Sequence, residues 1–449
     1  MAALPKKIAA LVTEYRPGTH ADVLLSKFIH GFALDDPAVH KPRVELVSLY
    51  IDQFPSNEIG RAVAAGAGIP IYQSIQAALT LADPRYYDDA LGMPASAPDP
   101  SGGAPARGDM AAAPQLAVDG IIIIAEHGDW PWNEDHARIH PRASFMEQTC
   151  AVFAQSGRSV PVFNDKHLSH RWVDSLFMVE RCRELGAPLM AGSSIPGQWR
   201  SPWLEHPPGT DLAEAVTIGF SGLDIYGAHA LDTLQAMVER RGPLAAETGV
   251  AAVQCLEGPA VWEAGHSGRF SMRLAHAALA AIEDKATTDI EGFAYDAALP
   301  ATAFIVEYRD GFRGTVLMLN GVANDHGYAA CTVSEPQTVL ACEFFSQRTP
   351  AYGGTGQEAK GPVAHFSYLG RNIEEMMLTG KPAWPAERTL LSSGLLEAAL
   401  RSRSQGGKRL VTDWLANISY QRTAMPPYMP AGPRPTGATL LPWPPPPRL

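Results

Sequence analysis

The sequence has no apolar run approaching the ~20 residues that a membrane-crossing helix needs, so no segment reads as a span. It has no excess of positive charge either: 36 basic residues face 47 acidic ones, for a formal net charge of -11. That balance argues against a general binder of nucleic acid or of anionic membranes. Cysteine is scarce. Cys150, Cys182, Cys255, Cys331 and Cys342 are widely spaced and show neither a zinc pattern nor a secreted disulfide framework, so they read as buried thiols. The start of the chain is too short and too soon charged for a signal peptide, and a cytoplasmic protein is expected.

Glycine is missing where it matters most. The run Ile8–Val12 reads as a buried strand and Ala21–Phe32 as a helix, with the loop Thr13-Glu14-Tyr15-Arg16-Pro17-Gly18-Thr19-His20 between them. A strand, a tight turn and a helix form the place where a dinucleotide pyrophosphate sits, and glycines let backbone N–H groups approach the phosphates. Only Gly18 is available here, and Glu14 adds a negative charge.

The rest of the first half alternates strand and helix. Val44–Ile51, Ile69–Tyr72, Gly120–Ala125 and Pro161–Phe163 read as strands, and Ile59–Ala67, Ile75–Leu79 and Ser169–Leu185 as helices. The continuous β-branched run at Gly120–Ala125 suits a strand covered on both faces. This alternation predicts an α/β fold with a Rossmann-like parallel sheet over residues 1–190, interrupted by a flexible Pro/Gly/Ala/Ser-rich insertion at 83–114. In residues 191–425, strands are expected at Val250–Cys255, Thr302–Arg309, Phe312–Asn320 and Thr338–Phe344, with a helix at Ser271–Ile282. They predict an α+β domain built on a mostly antiparallel open sheet, whose late helices Ile373–Leu378 and Leu390–Arg401 return to the first domain. A proline-rich tail occupies 426–449.

Four segments, in order, carry a family resemblance. Val162-Phe163-Asn164-Asp165-Lys166-His167 resembles a strand followed by Glu-Lys-Pro, and Gly186–Gly192 resembles a strand leading into a second domain. Tyr226-Gly227-Ala228-His229-Ala230-Leu231-Asp232 resembles an Asp-x-Gly-x-His-x-x-Asp stretch, and Gly380-Lys381-Pro382 with the helix after it resembles a closing segment. Together they resemble the glucose-fructose oxidoreductase/inositol dehydrogenase family over roughly residues 6–415. The resemblance implies a Rossmann domain joined to an open-sheet domain, NAD or NADP as cofactor, and a sugar, cyclitol or hydroxy acid as substrate. It places Lys166 on the family's lysine and His229 on its catalytic histidine. The family's first two loop glycines fall on Thr13 and Tyr15, its ribose-binding acid near Asp52, and its later Thr-Pro on Ala125-Glu126, followed by His127.

The strand ends therefore gather candidate residues, because ligands in open α/β sheets collect beyond the C-terminal ends of the strands. Lys166, His229 and Asp232 are the candidate catalytic residues: the lysine stabilises an alkoxide, the histidine exchanges its proton and the aspartate orients the histidine. Glu14, Tyr15, Gly18, Asp52, Glu126 and His127 are the candidate cofactor contacts, and Trp199 with Arg200 the candidate substrate contacts. The cluster Trp130–His136 offers aromatic surface and acids suited to a sugar. The acidic rim leaves a second reading open, a lyase, isomerase or hydrolase with zinc or manganese held by some of Glu14, Glu126, His127, Asp165, His167 and His229. A third is a non-catalytic binding protein. The expected partners are a small polar organic substrate and further copies of the chain, assembled through the second sheet, with no nucleic acid and no membrane.

Overall fold

The computed structural model describes residues 4–34, 39–82, 87–88, 93–94, 115–242, 249–345, 364–420 and 425–430. Most of the insertion expected at 83–114, and of the tail expected at 426–449, lies outside the described residues.

The first sheet consists of β1 (Lys6–Val12), β2 (Val44–Ile51), β3 (Ile71–Tyr72), β4 (Gly120–Ile124), β5 (Val162–Asp165) and β6 (Leu189–Gly192). Its order is β6-β5-β4-β1-β2-β3, and every pair is parallel. The order reverses between β1 and β4, which opens a crevice above the strand ends at that point. Helices α1 (His20–His30) and α2 (Gly60–Ala67) cover one face, and α3 (Ile75–Thr80), α4 (Arg142–Ser156) and α5 (Trp172–Glu184) cover the other. Ile121, Ile122, Ile123 and Ile124 are at most 2% exposed, which explains their unbroken apolar run. Burying each contributes about 1.5–3 kcal/mol relative to leaving it in water.

The second sheet consists of β7 (Trp199–Ser201), β8 (Leu212–Gly219), β9 (Val250–Glu257), β10 (Thr302–Tyr308), β11 (Arg313–Met318), β12 (His326–Thr332), β13 (Leu340–Phe345) and β14 (Leu410–Val411). Its order is β7-β13-β12-β8-β11-β10-β9-β14, antiparallel except for the β8–β11 pair. Alternation along these strands sends Ala215, Phe304, Val306 and Val316 to one face, against α6 (Ile225–Val238) and α10 (Ala386–Ser404). Val216, Ile218, Ala303 and Ile305 go to the other, against α7 (Pro259–His266) and α8 (Met272–Ala281).

Late in the chain, α9 (Ala364–Thr379) lays Phe366, Leu369, Ile373, Met376 and Met377 on the core of the first sheet. Helix α10 packs against both α5 and α6. Trp384 Nε1 and Thr389 Oγ1 each donate to Ala191 O at 2.7 Å, tying this return to the end of β6. Gly192, at φ 134°, leaves room there: a Cβ would lie 2.9 Å from both Asp232 Oδ2 and Thr389 Oγ1.

Candidate active site

The crevice above β1, β4 and β5 holds a dense buried polar cluster. Glu126 follows β4, Asp165 ends β5 and Lys166 follows it, and all three are at most 3% exposed. His20, the first residue of α1, reaches across to them. Its Nδ1 lies 2.7 Å from Asp165 Oδ2 and 2.9 Å from Glu126 Oε2. Lys166 Nζ lies 2.5 Å from Glu126 Oε1 and donates to His20 Nε2 at 3.1 Å. His127 Nε2 completes the group at 3.3 Å from Glu126 Oε1.

Electrostatics in this dry cluster follow from its composition. Burial opposes ionisation of Glu126, but His20 and Lys166 outweigh it and hold the carboxyl well below the usual range. Burial likewise opposes the charged His20 ring, yet Asp165 and Glu126 raise its pKa. Neither proximity was legible in the sequence, where His20 reads only as the residue before a helix. Its pairing with Asp165 spans 145 positions. The one available signal was that His20, Glu126 and Asp165 all fall at the same end of the parallel sheet.

His229 sits on α6 with its ring centroid 5.8 Å from that of His20. Its Nδ1 is 2.5 Å from Ser193 Oγ, which also accepts the Ile195 N–H at 3.0 Å. Burial, then Lys166, push the His229 pKa well below the ordinary value, so the ring is neutral. In the tautomer protonated on Nδ1, Ser193 Oγ accepts a hydrogen bond from that N–H and Nε2 keeps a lone pair. Asp232 was expected to orient His229 directly. Its carboxylate instead accepts the Ser193 N–H at 2.9 Å and the Ser392 hydroxyl at 3.3 Å, so it acts on the histidine through Ser193. Burial pushes the Asp232 pKa up to about 6.

Other expected residues lie elsewhere. Arg16 Nε donates to Glu14 at 2.5 Å, and Glu14 is not among the clustered ligand atoms. His167 Nε2 accepts from Arg142 Nη1 at 3.3 Å in a separate buried pocket, where burial and Arg142 hold the ring neutral. Among the described residues, the compact group is His20, Glu126 and Asp165, with ligand atoms within 4.8 Å of one another, so Glu126 and Asp165 of the expected metal set fall in it and His20 joins them. Trp199 and Arg200 are at most 1% exposed. Trp199 packs edge-on against Tyr368, while Arg200 donates to Pro196 O and stacks on Phe344. They hold the domain junction rather than an open substrate cleft.

An open cavity of about 570 Å³ lies beside His229, whose ring is 5.8 Å from that of the lining residue Tyr226. Trp132 and His136 from the loop after β4 line it together with Asp224, Asn320 and Arg403. Arg138 stacks over Trp132 at 4.3 Å and its N–H donates to Asp224 Oδ2 at 2.9 Å, which fixes that loop against α6.

The arrangement tests the dinucleotide in two parts. Asp52 follows β2 and accepts from Tyr50 OH at 2.8 Å, a partly exposed carboxylate placed for a ribose hydroxyl. Gly18 takes φ 74° ahead of the α1 N-terminus, and Arg16 is partly exposed beside it. The phosphate stretch between them is contested. The Gly18 N–H donates to Asp22 at 2.9 Å, the Arg16 N–H to Thr19 Oγ1 at 3.3 Å, and the buried Tyr15 side chain stands where a glycine would admit phosphate. His20 also crosses the β1–β4 crevice itself.

No protein-family model matches the chain, and no curated protein matches its sequence. Solved structures do. Over 91% of this chain and 96% of theirs, it superposes on GenD2 from gentamicin A biosynthesis in complex with NAD, with a TM-score of 0.53 and 12% identity. The fold is that of the inositol dehydrogenases. Scyllo-inositol dehydrogenase from Lactobacillus casei matches over 92% of this chain and 99% of its own, with a TM-score of 0.51 and 8% identity. An oxidoreductase from Agrobacterium radiobacter, in complex with NAD+, L-tartaric acid and magnesium, matches over 90% and 98%, with a TM-score of 0.50 and 12% identity.

Proposed function

We propose that this chain is an NAD(P)-linked oxidoreductase acting on a small polyhydroxylated substrate, a sugar, cyclitol or hydroxy acid. The observation that carries the reading is the convergence of Lys166, His20 and His229, with Tyr226 packed on His229 and lining a cavity together with Trp132. The aromatic faces suit the C–H surface of a sugar ring, and Asp224, Asn320 and Arg403 suit its hydroxyls. The volume of about 570 Å³ accommodates one such molecule. Structures of the same fold hold NAD, one of them together with a hydroxy acid, which supports this choice.

In this reading His229 takes the proton of the substrate hydroxyl, and Lys166 stabilises the oxygen as negative charge develops on it. Ser193 Oγ holds the His229 ring at Nδ1, and Asp232 holds Ser193 by accepting its N–H. NAD(P), when bound, supplies the hydride acceptor; Asp52 and the α1 N-terminus at Gly18 are the residues to hold it. A second reading, metal-dependent non-redox chemistry on the same scaffold, is favoured by the two missing loop glycines and by His20 crossing the crevice.

Titration of the purified chain with NADH and NADPH, followed by nicotinamide fluorescence, separates the two. Saturable binding, weakened by Asp52→Asn, supports the oxidoreductase. No saturable binding of either cofactor removes it and leaves the second reading.

A further inference from the structure

We propose that His20, Glu126 and Asp165 form a binding site for one divalent first-row cation, at the end of the crevice nearest His229. The inference stands apart from the dinucleotide reading, because it rests on hydrogen-bond accounting in the cluster itself.

An imidazole Nδ1 carries at most one proton, yet two carboxylate oxygens lie within 2.9 Å of His20 Nδ1. The Lys166 ammonium lies 3.1 Å from His20 Nε2 and 3.4 Å from Nδ1, and the one proton that Nδ1 can carry faces Asp165 Oδ2 at 2.7 Å. Glu126 Oε2, 2.9 Å from the same nitrogen, competes for that one proton and is buried without a donor of its own. Asp165 Oδ1 is likewise buried and unpartnered, on a residue only 2% exposed. Buried carboxylate oxygens without donors are costly, and a bound cation satisfies both at once.

The spacing agrees. Three donor atoms on three elements lie within 4.8 Å of one another, the closest pairs at 2.7 and 2.9 Å. Ligands about 2.0–2.2 Å from one ion and at right angles to each other lie roughly 3 Å apart. One imidazole nitrogen with two carboxylate oxygens is a donor set for Mn2+ or Zn2+ and leaves coordination positions open. With the ion on Nδ1 the ring proton sits on Nε2, so Lys166, 3.1 Å from that nitrogen, has to shift off it and keeps Glu126 Oε1, 2.5 Å away, as its partner. Phe366 packs edge-on against the His20 ring at 4.8 Å and fixes its plane. The open positions would take two neighbouring oxygens of a hydroxy acid or vicinal diol, with the His229 ring centroid 5.8 Å from that of His20.

The test uses the full chain, stripped with chelator and titrated with Mn2+ by electron paramagnetic resonance. The expected result is one saturable Mn2+ per chain, with nitrogen modulation from one histidine in the spin echo. Glu126→Gln and Asp165→Asn each weaken binding about tenfold or more, and Glu147→Gln, on the exposed side of α4, leaves it unchanged. No saturable binding by the wild-type chain, binding without nitrogen modulation, or wild-type affinity in both Glu126→Gln and Asp165→Asn overturns the site. The wild-type measurements decide the matter even where a variant fails to fold. NADH fluorescence on the same stripped protein reads the dinucleotide separately.

Discussion

Two buried polar networks in this molecule differ in a way that separates structure from function. At the domain junction, Arg388 donates to both oxygens of Glu239 at 2.9 and 2.6 Å. Tyr420 OH donates to the same carboxylate, Gln235 Nε2 donates to Tyr420 OH, and Tyr308 OH donates to Gln235 Oε1. None of these five side chains leaves a buried polar atom without a partner. Above the first sheet, Glu126 Oε2, Asp165 Oδ1 and both ring nitrogens of His140 do. A closed network rigidifies the fold and has nothing left to bind. The crevice network holds bonding capacity in reserve, with the His229 ring 5.8 Å from that of His20.

The largest expected effect lies on the open side of this comparison. His229→Gln keeps a side chain able to bond Ser193 but cannot exchange a proton near neutral pH. Turnover of a sugar, cyclitol or hydroxy acid substrate is expected to fall by about 10²–10⁴-fold, with the urea midpoint within experimental error of the wild type. Near-normal turnover would take His229 out of the chemistry.

On the closed side the effect moves to stability. Arg388→Met leaves Glu239 charged, buried and short of two donors, so unfolding in urea should show a loss of about 3–5 kcal/mol. A loss below roughly 1 kcal/mol means that water enters the junction and that the network is not closed.

A structural histidine sharpens the contrast through pH. His206 is buried between β7 and β8, and its Nε2 accepts from Tyr328 OH at 2.9 Å. Burial, with Arg200 and Arg240 nearby and Glu205 opposing them, lowers its pKa to about 4. The folded value lies below the unfolded one of about 6.5, so its contribution is fully present above that pH and is lost as pH falls toward 4. Between about pH 7.5 and pH 5 the wild type should lose roughly 2 kcal/mol more than His206→Gln, measured by urea denaturation at both values. Equal losses in the two proteins would mean that the His206 ring is charged in the fold.

The sequence showed the closed parts of the molecule better than the open one. Ile121–Ile124 and Ile8–Val12 announce central strands because burial on both faces leaves no room for polar residues. Lys166 and His229 stand in short local patterns that single them out as candidates. Helix α4 was not anticipated, although Phe145, Thr149, Val152 and Phe153 recur with helical spacing. Strand β8 was also missed: all but one of its residues are buried, so the two-residue alternation that marks a half-exposed strand is absent. His20 was illegible for a different reason. Its partners come from β4 and β5, and only the order β5-β4-β1 brings them to the start of α1. Side-chain geometry above a sheet is set by tertiary crossing, which local periodicity does not encode. The same limit explains Trp199 and Arg200, whose residue types suit a ligand but whose surroundings are the packed junction.

The smallest effect tests the open network from the stability side. In chelator, Asp165→Asn removes one of two carboxylates that converge on a single ring nitrogen and replaces it with a neutral acceptor of the same shape. The remaining Glu126 then has His20 and Lys166 to itself. Relief of like-charge crowding offsets the lost ion pair, so stability should change by less than about 1 kcal/mol, in the direction of a gain. Substitution of a residue in the closed network costs several times that, as at Arg388. A loss of about 3 kcal/mol or more for Asp165→Asn in urea would instead place the aspartate among the structural groups. The oxygens without donors would then be strain that the fold tolerates, not capacity held for a ligand.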